Sequence, residues 1–526
     1  MQLAHICLPL SDKACRLGVI VALTVIVVIS FNILRLWFRL RHIPGPRMSA
    51  LTNLVRRSWV TTGGAHDIHT ALHRKYGTVV RVGPNAVMVS QPKAIDTIYG
   101  FKNRLEKSEF YDSIMPRIKG GKLPDIFATR DEDIHRRMRR PVARLFSVSH
   151  LATFESTMTS TLKHFFSRLD ELFANKDTDF DLFQWIQFFM FDVLGEVTFS
   201  RELGCLEKGE DVDGIMANIW AYFRQVAAVG VGLPVLRLGY CCLPESQNTQ
   251  MPWLDYLWRD NPLVPGSTKK NPLAEFGFAR IMERMSLSKD EKQNLGQKDF
   301  LSCFLDEQAK DSTLPSLFVP TWVNSNIVAG ADTTSILAGA VMYHLLKNPS
   351  SLARLKEEVD DAAAKGRLSR YVTWKESREL QYLDACVKEA TRMHPPFSLP
   401  FERVVPEGGL EVDGHYIPPG TRIGINPWAM HREASMFGAD PDSWRPERWL
   451  CSESKRQEMN NALLTFGAGH RSCLGRHLAY FEIYKLVPSL LQQYDIELVN
   501  PVGNWTVENK WLAKPSGFQV KISSHN

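Results

Sequence analysis

Phe466-Gly467-Ala468-Gly469-His470-Arg471-Ser472-Cys473-Leu474-Gly475 is the stretch on which the reading of this chain turns. Two glycines ahead of the cysteine permit left-handed backbone angles, which lets amide N–H groups turn toward a single sulfur. From Leu474 through Gly475-Arg476-His477-Leu478-Ala479-Tyr480-Phe481 the pattern reads as a helix, so the sulfur sits at a positive helix end. Donors and field together stabilise a thiolate, the form in which a cysteine binds iron. A lone buried cysteine is ordinarily a small hydrophobe; this loop gives Cys473 the surroundings of a ligand.

The rest of the chain has to supply an interior around that sulfur. Its 526 residues, at a prior of about 150 per domain, allow three or four domains. With 44% hydrophobic and 23% charged residues it is globular, which excludes a disordered, collagen-like or multi-span membrane chain. The 63 basic residues against 57 acidic ones are too even a mixture for a nucleic-acid binder. Nine scattered cysteines, an odd number, point to reduced thiols in a cytosol-facing domain. No repeat, low-complexity tract or Gly/Ser linker divides residues 50–526, so one large domain is the economical reading. Amphipathic helical patterns dominate it, at 151–173, 320–347, 350–364 and 374–394. Short alternating runs at 79–82, 87–90 and 421–425 read as strands. The predicted fold class is mostly α with small β-sheets.

Before that domain, residues 17–34 carry no charge and would form a helix about 27 Å long, enough to cross a bilayer. Trp37 and Phe38 suit the interface, and Arg35, Arg39, Arg41 and Arg47 form the heavier basic flank, which should stay cytosolic. The expected order is a short luminal tail (1–16), a single transmembrane anchor (17–36), a basic and Pro/Gly hinge (37–49) stopped by Ile43-Pro44-Gly45-Pro46, and the domain (50–526).

The ten-residue loop resembles the haem-binding loop of the cytochrome P-450 superfamily, the haem-thiolate monooxygenases, at every position that pattern fixes. The resemblance implies that Cys473 is the axial ligand of a b-type haem iron, that Arg471 pairs with a propionate, and that Phe466 and Gly475 belong to the cofactor loop. Glu389 and Arg392 stand three apart on one helix face and can pair; the resemblance adds Arg448, of Pro446-Glu447-Arg448-Trp449, to form a buried structural triad. In Ala329-Gly330-Ala331-Asp332-Thr333-Thr334 a glycine, an acid and two hydroxyls interrupt a long core helix, poor local chemistry that suggests a site. By resemblance Asp332 relays protons and Thr333 orders water on the oxygen-binding side. His135 and Arg139, four apart, and Arg403 occupy the places of further propionate partners. Arg136, Arg137 and Arg140 are then left on the proximal surface, where they would dock an acidic flavoprotein reductase.

The resemblance runs from Ile43 to the C-terminus and is nearest to filamentous-fungal members similar to pisatin demethylase. Lys107-Ser108-Glu109-Phe110-Tyr111, Thr129-Arg130-Asp131-Glu132 and Phe191-Asp192-Val193-Leu194-Gly195-Glu196 carry it. Residues 231–249 are extra to that pattern, either a membrane-dipping loop or a short retained intron. The chain has no G-x-G-x-x-G after a strand and no phosphate-binding loop, so electrons must come from a partner, expected to be NADPH–cytochrome P-450 reductase. The implied activity inserts one atom of O2 into a lipophilic small molecule, in secondary-metabolite biosynthesis, at the endoplasmic reticulum membrane with the catalytic domain cytosolic. Within that class, detoxifying oxidation of xenobiotics or plant phytoalexins is the alternative. A haem-thiolate isomerase or dehydratase, and a non-catalytic haem-binding protein, are the alternatives outside it. Substrate choice is expected to lie with segments 110–126, 220–229, 326–333, 395–401 and 511–518.

Overall fold

The helix Leu182–Phe199 is apolar round its whole circumference, and such a helix has to be buried. All of it is, apart from Gln184 and Glu196. Asp181 caps it by accepting from the Gln184 N–H (3.2 Å), and Ser200, left-handed at φ 58°, ends it. In this computed structural model, which describes residues 12–115, 117–118, 121–232, 272–287 and 298–525, that helix packs along Ala331–Lys347. Ala331–Lys347 in turn touches Gln381–Met393 and Arg476–Gln493, so four helices form the centre of the interior. The mostly helical class agrees with a core that runs without interruption through these four helices.

Five small sheets surround the helices among the described residues. The largest has the strand order Val79–Gly83, Ala86–Val89, Arg422–Ile425, Arg403–Val404. Its first two strands form an antiparallel hairpin; Ala86–Val89 then runs parallel to Arg422–Ile425, some 330 residues later in the chain. A second sheet joins Tyr494–Leu498, Gln519–Ser524 and Phe180–Asp181, and three two-stranded pairs complete the set.

Three expected helices are divided. The pattern 320–347 becomes Phe318–Ala329 and Ala331–Lys347, parted at Gly330. Thr333, Thr334 and Ser335 donate their hydroxyls to the carbonyls of Ala329, Gly330 and Ala331 (2.6, 2.8 and 2.7 Å), competition that loosens the ladder there. The pattern 374–394 becomes Trp374–Ser377, which starts on a Thr373/Glu376 capping box, and Gln381–Met393, separated by an extended Leu380. The pattern 151–173 becomes Glu155–Leu172, preceded by a short turn of helix at Val148–Leu151. The helix expected to begin at Leu474 begins at Arg476.

At the N-terminus a helix runs Asp12–Arg39, and its stretch Val19–Arg39 is long and apolar enough to cross a membrane. Its end reaches three residues past the expected boundary because Arg81 holds it. The buried Arg81 guanidinium donates to the carbonyls of Trp37 (3.2 Å) and Leu36 (3.0 Å), and also to Ala50 and Pro84 beyond the turn. Residues 1–11 of the expected tail, and 233–249 of the extra segment, lie outside the described residues; 231–232 close the helix Ile215–Gly232.

Candidate functional site

Around Cys473 the backbone does what its glycines allow. Gly467 and Gly469 are left-handed, at φ +66° and +63°. Gly469 is doubly constrained, since a Cβ there would lie 1.9 Å from the Tyr99 carbonyl oxygen. The Cys473 N–H donates to the Phe466 carbonyl (2.8 Å), closing the loop on itself. The N–H groups of Gly475 and Arg476, at the start of the long helix, are directed at the Cys473 sulfur. Burial nonetheless pushes the thiol above its ordinary value; these two donors, with Arg139 and Arg476, pull the other way. Cys473 is open on one side while packed protein desolvates its sulfur, the condition of a side chain on the wall of an interior space.

Behind the loop lies a closed polar cluster. The Glu389 carboxylate accepts from Arg392 Nε (2.9 Å) and Nη2 (2.7 Å), from Arg448 Nε (2.9 Å), from Trp449 Nε1 (2.9 Å) and from the Arg445 N–H (3.0 Å). Glu389 and Arg392 are fully buried and Arg448 nearly so. The remaining guanidinium hydrogens go to the carbonyls of His431, Pro441, Ser443, Phe437 and Asp440. Burial alone would raise the Glu389 carboxyl, but Arg392, Arg448 and Trp449 hold it below the usual range. His431 carries the support forward: its Nδ1–H donates to the Arg392 carbonyl (3.0 Å), and its Nε2 accepts from the Leu464 N–H (2.9 Å), at the base of the cysteine loop.

In front of the loop the charge does not close. Lys107, Arg403, His135 and the Arg471 side chain are all buried, and Arg139 is half-buried beside them. Arg139 Nη1 donates to the Ser472 carbonyl (2.7 Å); Arg471 donates to Glu132 (3.0 and 2.6 Å) and to the Thr129 carbonyl (2.9 Å); Arg403 donates to its neighbour's carbonyl at Glu402 (3.0 Å). The Lys107 ammonium donates to the Phe127 carbonyl and lies 4.2 Å over the rings of Tyr111 and Phe127. Burial pushes Lys107 well below its ordinary value, Arg403 and Arg471 push further, and Asp125 and Glu132 oppose them. Burial, with Arg471, Arg139 and Lys107, drives His135 down to about 2. Among the described residues, three guanidinium groups and the Lys107 amine thus surround two carboxylates.

The acid and the alcohol of 329–334 face different ways. Asp332 is buried, with Oδ1 accepting from Gln187 of the central helix; burial raises its carboxyl, while Lys514 and Gln187 lower it. Thr333 is only half-buried and is bonded to the Ala329 carbonyl, with no hydrogen bond to Asp332. Behind them the buried Glu482 meets Thr334, and burial keeps its carboxyl well above the usual range.

The Cytochrome P450 family model matches residues 44–522. The chain is a cytochrome P450. Relatives agree along its length. It is 52% identical over 499 residues to the cytochrome P450 monooxygenase cicH of Emericella nidulans, covering 95% of this chain and 97% of that protein. To a cytochrome P450 monooxygenase of Aspergillus terreus it is 46% identical, covering 91% and 94%. To the cytochrome P450 monooxygenase pkfB of Emericella nidulans it is 41% identical, covering 94% and 93%. This cytochrome P450 is therefore a monooxygenase of a haem-thiolate family, and one apolar N-terminal helix precedes its catalytic fold. The residues present fit a haem: a cysteine on an interior wall, and beside it more basic side chains than carboxylates, which the two carboxylates of that cofactor would balance.

Several residues of this site are not among those singled out by sequence. Glu132 ties Arg471 and His470 together (2.6 and 3.0 Å), and Gln187 holds Asp332. Lys107 and Glu132 do lie in stretches that carry the family resemblance, which was the available signal. Of the proximal arginines, Arg136 pairs with Asp133, Arg137 donates to the Thr313 carbonyl (3.0 Å), and Arg140 is exposed.

Proposed function

We propose that this cytochrome P450 is a b-type haem monooxygenase. It is anchored in the endoplasmic reticulum by residues 17–36, with a luminal tail (1–16), a hinge (37–49) and a cytosolic catalytic domain (50–526), and it oxidises a lipophilic small molecule in secondary metabolism. The reaction takes substrate R–H, O2, two electrons and two protons to R–OH and water. NADPH–cytochrome P-450 reductase supplies the electrons, and the exposed Arg140, with Arg136 and Arg137, forms its docking face. Cys473 holds the iron; Arg471, Arg403, His135, Arg139 and Lys107 hold the propionates; Phe466 and Gly475 shape the loop. The haem, when bound, supplies the activation of oxygen and its transfer to the substrate.

The chain's own residues do the rest. The N–H groups of Gly475 and Arg476 share the negative charge of the Cys473 sulfur once it is deprotonated. Asp332, whose carboxyl burial raises above its ordinary value, is the proton carrier; it delivers by turning from Gln187 toward Thr333, whose half-buried hydroxyl passes a proton onward. Glu389, Arg392 and Arg448 hold the loop rigid and touch neither cofactor nor substrate.

The observation that carries this reading is the Cys473 sulfur with two amide donors, standing on an interior wall beside an excess of buried cations. Its test is the ferrous–CO difference spectrum of the full chain, followed by turnover with and without reductase and NADPH. A thiolate-type spectrum lost in Cys473→Ala, and turnover that needs reductase, are expected. Absence of that spectrum defeats the haem assignment, and product formed without reductase would instead make the protein an isomerase or dehydratase.

A further inference from the structure

The last four carbonyls of a helix have no partner within it, and a membrane anchor that ends in a loose linker leaves them to water. Here two of them are taken by the catalytic domain. Leu36 and Trp37 lie in the last turn of Asp12–Arg39, and their carbonyls accept from Arg81, on the first strand of the largest sheet. The same guanidinium also reaches the carbonyls of Gly83 (3.2 Å), Ala50 (3.3 Å) and Pro84 (2.8 Å). Arg81 is buried, and among the described residues it pairs with no carboxylate. A buried charge without a counter-ion is costly. This one is balanced by carbonyl oxygens and by the negative end of the anchor helix.

Further contacts close the joint around that arginine. The Arg81 N–H donates to the Pro44 carbonyl (2.7 Å), and a Cβ at Gly45 would lie 2.2 Å from the Arg81 carbonyl oxygen, so the turn lies flat on the strand. Leu40 and Ile43 are buried in one core with Val79, Val87 and Ile417. Arg39 donates to the Pro419 carbonyl, and His42 Nε2 stands 2.9 Å from that of Tyr416. Residues 37–49 therefore have the composition of a hinge and the attachments of a fixed joint. A fixed joint also settles which surface lies beside the bilayer. Met48, Leu51 and Leu54 follow the helix end at intervals of three and are 61%, 41% and 57% exposed. They continue the exposed Trp37 and Phe38, and exposed Arg41, Arg47 and Arg57 flank them. Apolar side chains at the base of a membrane helix, with basic ones around them, match an anionic lipid surface.

We propose that Arg81 locks the anchor and the catalytic domain into one rigid body, and that Met48, Leu51 and Leu54 are its second contact with the membrane, seated at the boundary of headgroups and acyl chains. The proposal rests on the anchored reading, which puts residues 17–36 in the bilayer. The lock holds the domain at one tilt, so a partner bound to the same membrane always meets the same side of it.

The test uses the haem-loaded full chain in nanodiscs of phosphatidylcholine and phosphatidylserine. Spin labels are attached through a ketone-bearing unnatural residue, so the nine cysteines stay in place. Labels at Leu34 and Arg57, on either side of the joint, should give one distance peak as narrow as that of Arg57 and Ala71, which both lie on helices of the domain. Arg81→Gln should broaden the first peak about twofold or more, as a freed linker would, and leave the second unchanged. A label at Leu51 should collide with lipid-soluble oxygen, relative to a water-soluble nickel chelate, several-fold more often than one at the exposed Arg140. A broad Leu34–Arg57 distribution with Arg81 in place overturns the proposal, and so does a Leu51 label as water-exposed as that at Arg140. Both readings need no change at Arg81, so they decide the matter even where Arg81→Gln does not fold. A peak that stays narrow in a folded Arg81→Gln overturns the lock. A label at Val27, within the anchor, reports on the anchored reading separately: lipid-exposed at Val27 and water-exposed at Leu51 sinks only the docking face, whereas water-exposed at both sinks the anchor as well.

Discussion

Two buried clusters of arginines and carboxylates flank the Cys473 loop, and they differ in how their charge is closed. Behind the loop, Arg392 and Arg448 share Glu389, Arg448 also pairs with the Asp440 carboxylate (3.6 Å), and their other hydrogens meet main-chain carbonyls. In front of it, Lys107, Arg139, Arg403 and Arg471 share Asp125 and the half-buried Glu132. The first cluster is complete within the protein, whereas the second has an excess that a dianionic cofactor removes. Burial is therefore not what separates scaffold from site here; the state of the charge balance is. The two clusters should respond oppositely to the same kinds of substitution.

The largest effect belongs to the closed cluster. Glu389→Gln leaves the buried Arg392 with no charge partner and Arg448 with Asp440 alone, and should cost about 3–5 kcal/mol in urea unfolding, with or without haem. A loss under about 1 kcal/mol would break the distinction. Next comes pH. Burial holds His431, which bridges Arg392 and Leu464, down to about 3. The unfolded side chain, near 6.5, takes a proton that the folded one refuses. Stability is thus full above about pH 6.5 and falls as the pH drops from there toward 3, by about 1.4 kcal/mol per unit, or about 2 kcal/mol by pH 5. His431→Gln, compared with wild type at pH 7.5, 6 and 5, should show a shallower decline; an unchanged slope would remove His431 from the account.

Local chemistry was legible in the sequence and distant chemistry was not. The cysteine loop could be read because glycine angles and helix-start donors act within ten residues, and they appear as expected at Gly467, Gly469, Gly475 and Arg476. The Glu389–Arg392 pair, three apart on one helix, was legible for the same reason. The hydroxyls after Gly330 marked a weak place in a helix, yet not that the helix would part there, because that depends on how each hydroxyl turns. Gln187 meeting Asp332, 145 residues away, has no signature in the sequence. Nor has the burial of Lys107, which is set by where Arg403, Arg471 and Asp125 arrive from elsewhere in the chain.

Lys107 is the residue on which the open cluster is best tested. Lys107→Met keeps the stem that packs against Tyr111 and Phe127 and removes the buried amine. Without haem the variant should be as stable as the wild type or more so, by about 1 kcal/mol, since a buried cation is replaced by an apolar group of similar volume. With haem the sign reverses, and cofactor transfer to an acceptor globin should be several-fold faster. Destabilisation of the haem-free protein by Lys107→Met would mean that this cluster, too, is closed.

The smallest effect gives the sharpest contrast, because it repeats the first substitution on the other side of the loop. Glu132 accepts from Arg471 and lies 3.0 Å from His470 Nε2, much as Glu389 accepts from Arg392 and Arg448, yet its side chain is 30% exposed where that of Glu389 is sealed. Water already shares the charges that Glu132 balances, and haem carboxylates would share them again, so Glu132→Gln should cost under about 1 kcal/mol in the haem-loaded protein. In the haem-free protein the loss should be larger, because the excess of positive charge around Lys107 then grows by one with nothing to offset it. A difference of that sign, read by thermal unfolding of both forms, ties Glu132 to the cofactor's carboxylates; equal losses in the two forms would make it an ordinary surface partner of Arg471.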